Sequence, residues 1–353
     1  MPRLLVVRAH DCTVDRFSRL EQGLLAGGGG LDPASAAGGE LAPGARDSVL
    51  LLASLAGDGL FLGRHQRARS ALHLAPARGG GLDLSRRAGG GRAVAAGGGT
   101  LGLFLWVPPG AALLPAGTGV DKVVNRLVRG LLAGLRAEGA RDAAYFGRDF
   151  VSSQGRRVAA VSQEGTEGGG VAFEAVVAVG RSLALPPGLG RYPPHADPRA
   201  EGPPPATVAE IAGAPRSAAA VGEAIARGYA EGLGCELVDP GSQGLGAPGD
   251  ALPVEEDETG LSESGLAEVP IGFVEALVRL EGNRLTEARL RGDFQAPSFA
   301  VAGLERSLAG TAPTFAAVGR RVDEAFDRPG AFLRGLDARR TLADAVLAAA
   351  TPS

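Results

Sequence analysis

The chain is short of the residues that would mark several functional classes. Only two cysteines occur in 353 residues, Cys12 and Cys235, far apart and without the spacing of a zinc site or a disulfide framework. That fits a reducing compartment. Methionine and tryptophan occur once each and tyrosine three times. No block of basic residues is present and the formal net charge is −3, which argues against nucleic acid as a main partner. No lysine follows Lys122. The longest apolar stretch, from Leu101 to Pro115, is broken by Pro108, Pro109 and Gly110 and cannot form a spanning helix. The apolar part of "MPRLLVVRAHDC" is too short for a signal peptide. A cytoplasmic protein with no membrane contact is expected.

Glycine, by contrast, is abundant, with 56 residues. In that background the runs at 27–30, 79–81 and 168–170 read as plain loops. Residues 13–26 read as a helix with Thr13 as its cap, and 27–46 as a loop. Residues 47–55 and 59–65 look like a hairpin turning at Gly57 and Asp58. Thr100–Val107 reads as a strand, and 119–138 as the clearest helix, with Val123, Leu127, Val128, Leu131 and Leu135 on one stripe. Strands at 156–164 and 171–180 flank a glycine-rich turn. Pro186 to Pro205 reads as a surface connection, followed by helical signal over 207–233. Residues 239–268, with the acidic run Glu255 to Glu258, read as a solvated flexible linker. Beyond it, two strands turning at 281–283 and helices at 298–309 and 314–326 suffice for a small domain.

The stretch "LSRRAGGGRAVAAGGGTLGLFLWVP" (84–108) combines arginines, glycines and a strand. Gly89, Gly90 and Gly91 leave backbone N–H groups open to an anion, and Arg86 and Arg87 offer charged donors. Taken alone, the residues read first as a solvated loop with two surface arginines. His10, His65, His73 and His195 show no ligand spacing and read as structural or exposed.

The order of these pieces resembles the lipoate–protein ligase family. Glu21 in "RLEQGLL" is placed like the family's acidic residue in its first helix. "LFLGRHQ" (60–66), "LSRRAGGGRAV", "GRDF" (147–150) and "GRRVAAVSQ" (155–163) are similar to family segments in the same order. "EGNRLTEARLRGDF…GLERSLAGT" looks like the accessory domain of long lipoate ligases. The resemblance implies an α+β fold: a biotin/lipoate-ligase-like mixed sheet flanked by helices over 1–238, a linker over 239–268, and a small α+β accessory domain over 269–353. It implies ATP and Mg²⁺ as cofactors and lipoate or octanoate as substrate. The acyl-adenylate would transfer to a lysine of a lipoyl or acyl carrier domain.

By the same resemblance the adenylate lies on Arg86, Arg87, Gly89, Gly90, Gly91 and Arg92. Arg148 and Asp149 lie near the nucleotide, with Asp149 the candidate metal ligand. Three segments depart from the family: Arg92 stands at the third glycine of its loop, Arg157 at its lysine with Ala159–Ala160 in place of the Ser-Gly that follows, and Asp149–Phe150 in place of its Asn-Asp. Arginine keeps the lysine's charge but is larger and planar. The cysteines do not sit where octanoyltransferases of this fold carry a nucleophile. Two readings stay open: a ligase with Arg157 in the lysine's role, or a pseudoenzyme that binds a ligand, carrier domain or partner subunit without chemistry. An amidotransferase of the same fold is a third, weaker reading.

Overall fold

A computed structural model describes residues 1–26, 47–115, 117–240 and 248–351. The chain opens with β1 (Arg3–Cys12) and α1 (Val14–Ala26), whose first turn is capped as expected, Arg16 N–H donating to Thr13 Oγ1 at 3.2 Å. The expected loop at 27–46 lies outside the described residues. Then come β2 (Ser48–Leu55), β3 (Asp58–Leu62), α2 (Ala68–Ala71), α3 (Leu74–Gly79), β4 (Asp83–Arg86), β5 (Val94–Gly97) and β6 (Thr100–Val107). The long helix is α4 (Val120–Ala137), followed by β7 (Ala144–Tyr145), β8 (Phe150–Ser153), β9 (Arg156–Gly165) and β10 (Val171–Ala178). Next are α5 (Pro198–Glu201), α6 (Val208–Ala212), α7 (Ala218–Leu233) and β11 (Glu236–Val238). The C-terminal part holds β12 (Ser262–Glu263), β13 (Ala267–Val269), β14 (Gly272–Glu281), β15 (Arg284–Gly292), α8 (Ser298–Leu308), α9 (Phe315–Phe326) and α10 (Arg340–Ala350).

Alternation along the strands sets the layers. In β1, Leu4 and Val6 face one core while Leu5, Val7 and Ala9 face another. An eight-stranded mixed sheet in the order β11-β1-β2-β6-β10-β9-β8-β7 therefore has both faces buried. The apolar stripe of α4 packs with α7 on one face. Helix α1 and a three-stranded sheet, β4-β3-β5, cover the other. A third core joins β14 and β15 to α8, α9 and α10. The expected α+β architecture is present.

Three local expectations change. The segments around 47–65 do not pair as a hairpin: β2 joins the large sheet, between β1 and β6, while β3 pairs with β4 and β5. β2 lies in the central layer, buried on both faces, and both of its edges are paired within that sheet. The helical signal at 207–233 is two helices, because Gly213 adopts a left-handed φ of 68° and Ser217 restarts the next with a side-chain cap. Helix α10 was not anticipated.

The acidic run is exposed at Glu255, Glu256 and Asp257, but it is not a free linker, because Glu255, Glu256 and Glu258 pair with arginines. The Glu258 side chain is buried and accepts from Arg67 Nε and Nη2 at 2.8 and 2.6 Å. Arg67 also reaches Glu275 at 2.9 Å and Glu263 at 2.6 Å, while Glu256 meets Arg289 and Arg291. The segment thus straps the two cores together, and its strands β12 and β13 share an edge of β14.

Candidate active site

The glycine loop follows β4 and is held from three sides. From α1, the buried Glu21 Oε2 accepts the Ala88 N–H at 3.2 Å. From β10, Glu174 Oε2 accepts the Gly89 N–H at 2.8 Å and the Ser162 hydroxyl at 3.1 Å. From the C-terminal part, Phe294 O accepts the Gly91 N–H at 3.3 Å. The glycines are required by this packing. A Cβ on Gly89 would lie 2.1 Å from Ser162 Oγ, and one on Gly90 would lie 2.3 Å from Phe294 O. The N–H groups of Gly89 and Gly91, expected to face an anion, are therefore already engaged. Burial raises both carboxyls, and the charge of Glu174 lifts Glu21 further.

The arginines divide. Arg86 is buried and turned to carbonyls: Gly63, Arg64 and Gln66 at 2.8, 3.2 and 2.6 Å, Pro253 at 3.0 Å and Val254 at 2.8 Å. It ties the loop base to the acidic strap. Arg87 Nη2 donates to Gly90 O and Arg92 O at 3.0 and 2.9 Å, bracing the loop from within.

Arg87, Arg92, Asp149 and Arg157 come together around one cavity of about 550 Å³, a volume in the small-molecule range. Its apolar wall includes Val94, Ala160, Leu183 and Leu185. Arg92 points into the site, where its Nε and Nη2 form a bidentate pair with Asp149 at 2.8 and 3.0 Å. Its remaining nitrogen donates to Ala200 O and Glu201 O at 3.2 and 2.9 Å. Burial would push the Asp149 carboxyl up, but Arg92 and Arg157 outweigh it and hold it low. Arg148 donates to Ala200 O and Pro270 O and lies over the Phe150 ring at 5.4 Å.

Arg157 differs from these. Near the start of β9, its backbone pairs with Pro204 and Ala206. Its guanidinium makes one hydrogen bond among the described residues, to Glu201 O at 3.3 Å. Burial first, and then Arg92, lower its pKa to about 10. A half-buried cation with spare donors faces the cavity.

Asp149 was the expected metal ligand, and both of its oxygens are occupied by Arg92. Among the described residues no group of three His, Cys, Asp or Glu side chains is placed to hold a metal. The donor set does not fit a protein-held Mg²⁺.

The histidines also divide. His65 is buried, its Nε2 2.9 Å from Ala296 O and its ring stacked on Phe294 at 4.9 Å. Burial lowers its pKa to about 3, as befits a structural residue. His195 lies on the expected surface connection, which instead walls the cavity. Sequence reading missed it because its partner, Glu268, belongs to the C-terminal part.

Residues 40–179 match the family model described as the lipoyl protein ligase A/B catalytic domain. Among solved structures, the chain is similar to LipL1 of P. falciparum in complex with lipoate. The two are 10% identical with a TM-score of 0.68, covering 96% of this chain and 97% of that one. The likeness thus extends through the C-terminal elements, and the whole architecture is of the lipoate-ligase kind. A bi-partite lipoate protein ligase of T. acidophilum, determined in work that includes its E2 lipoyl domain, is 15% identical with a TM-score of 0.52. It covers 69% of this chain and 91% of that one. No curated protein matches the chain. Among the described residues no helix is long and apolar enough to cross a membrane.

The contact between the catalytic part and the C-terminal part is sensitive to protons. Glu164 Oε1 accepts from the N–H of Ser298 at 2.8 Å, and Asp293 Oδ1 accepts from Gln66 Nε2 at 2.5 Å. Burial pushes each carboxyl up to about 7, against about 4 in an unfolded chain. The folded state therefore binds these protons more tightly, and the stability they confer is lost as pH rises from about 4 through 7. Raising the pH from 5.5 to 8 is expected to lower the thermal midpoint by a few degrees. A Glu164→Gln/Asp293→Asn double variant should show a smaller drop in calorimetry. Equal drops would dismiss these two groups as the source.

Proposed function

We propose that the protein activates lipoate or octanoate with ATP as an acyl-adenylate and passes the acyl group to a lysine of a lipoyl carrier domain. The observation that carries this reading is Arg157: a half-buried guanidinium with unused donors, at the family's lysine position, beside an apolar wall. Bound there, a carboxylate or an α-phosphate would gain charge-assisted hydrogen bonds. Arg92 keeps Asp149 neutralised, so the field at Arg157 stays positive. In the first step a carboxylate oxygen attacks the α-phosphorus and pyrophosphate leaves, while Arg157 screens the charge gathered between them. No step is assigned to a metal. The lipoate held by the P. falciparum relative and the E2 lipoyl domain studied with the T. acidophilum ligase support the acyl group and the acceptor.

One feature favours the non-catalytic reading. The loop N–H groups of Ala88, Gly89 and Gly91 are taken by Glu21, Glu174 and Phe294, which leaves fewer donors for phosphates. The two readings separate in one assay. Purified protein with ATP and octanoate should release pyrophosphate in proportion to enzyme. Octanoate binding measured by calorimetry without any pyrophosphate would sink the ligase reading and leave the binding module.

A further inference from the structure

We infer that His195 is the general base of the transfer step, positioned by Glu268 from the C-terminal part. The inference rests on the acyl-transfer reading above. His195 lines the same cavity as Arg92, Asp149 and Arg157. Its Nδ1 lies 3.2 Å from Glu268 Oε1. That carboxylate is itself fixed, accepting the N–H groups of Ala196 at 3.0 Å and Asp197 at 3.2 Å. The imidazole is also clamped by stacking on Phe273 of β14, with centroids 4.7 Å apart and planes 11° apart. Tyr192 packs on the same phenyl ring at 4.9 Å.

These contacts fix both tautomer and orientation. A carboxylate beside Nδ1 keeps the proton there, so Nε2 carries the lone pair. Nε2 has no hydrogen-bond partner among the described residues. The contrast with His65 is direct: that ring spends Nε2 on a carbonyl and is sealed in the core. A nucleophile's base oriented by a third group is the general form of such a device.

The step balances. The acceptor lysine's neutral amine attacks the carbonyl carbon of the acyl-adenylate, and a C–N bond forms. The carbonyl–oxygen bond to AMP breaks, and AMP leaves with the electron pair. The proton lost from nitrogen passes to His195 Nε2 and then to water. Glu268 holds the ring and touches no substrate, so it is a positioning residue.

The test starts from synthetic octanoyl-AMP and a purified lipoyl domain, which bypasses ATP. Single-turnover transfer should fall about 100-fold in His195→Ala, and added imidazole should restore at least a tenth of the lost rate. Glu268→Gln should slow transfer and Glu268→Asp should recover part of it. Should His195→Ala fail to fold, His195→Gln serves for the loss of rate. Transfer at the wild-type rate in the histidine variant overturns the inference and leaves the ligase reading standing. A slow His195→Ala that imidazole does not rescue also overturns it, since the ring is then structural. A wild-type protein that releases pyrophosphate from ATP and octanoate but transfers nothing overturns the inference alone. One that does neither overturns both.

Discussion

Arg157→Ala is expected to slow pyrophosphate release from ATP and octanoate by about 10²–10³-fold, the usual cost of losing one charge-stabilising donor. The effect should be chemical. Arg157 makes one long hydrogen bond, to Glu201 O, and Asp149 keeps its bidentate partner Arg92 when Arg157 is gone. No buried carboxylate is stranded, so the thermal midpoint should stay within a degree or two. Arg157→Lys restores a point charge in place of a planar fork and should keep the rate within about tenfold. Wild-type turnover in Arg157→Ala would place the anion elsewhere in the cavity.

The second large effect concerns the fold. Gly228→Val is expected to destabilise the protein by about 3 kcal/mol or more, measured by urea unfolding. Helices α4 and α7 meet backbone to backbone. A Cβ on Gly228 would lie 2.5 Å from Gly130 O, and one on Gly134 would lie 2.5 Å from the Ile225 Cα. A Cβ on Gly130 would enter the Tyr229 ring at 2.3 Å. In an isolated helix, exchanging glycine for alanine gains about 1 kcal/mol. Here the sign should reverse even for Gly228→Ala, because a backbone carbonyl cannot swing aside as a side chain can. A stabilised Gly228→Ala would disprove the close approach.

Much of the architecture was legible because it is written in local periodicity. The stripe of α4, the hairpin of β9 and β10 with its glycine turn, and the pair β14–β15 follow from spacing alone. A Cβ on Gly81, Gly168 or Gly169 meets nothing within 4 Å, as expected of plain loops, but Gly79 ends α3 and a Cβ on Gly170 would lie 2.3 Å from the Trp106 ring. What local pattern cannot show is a partner far along the chain. Arg86 and Arg87 read as surface donors, yet both are buried, because carbonyls and a carboxylate from distant segments receive them. Arg92 with Asp149, His195 with Glu268, and the acidic strap with Arg67 are of the same kind. The cavity itself was half legible. The resemblance picked out Arg157, Arg92 and Asp149, and missed the histidine.

The meeting of Gly90 with Phe294 O has a bearing on how such a gene can change. A side chain at Gly90 collides with a carbonyl encoded far downstream, and no substitution at Phe294 removes a carbonyl. Compensation must then come from moving the whole Gly292–Ala296 segment, which also anchors on His65, Gln66 and Val161. Drift at the two ends of the reading frame is thereby coupled. A lineage that splits the gene in two would inherit the same constraint across a boundary between separate polypeptides.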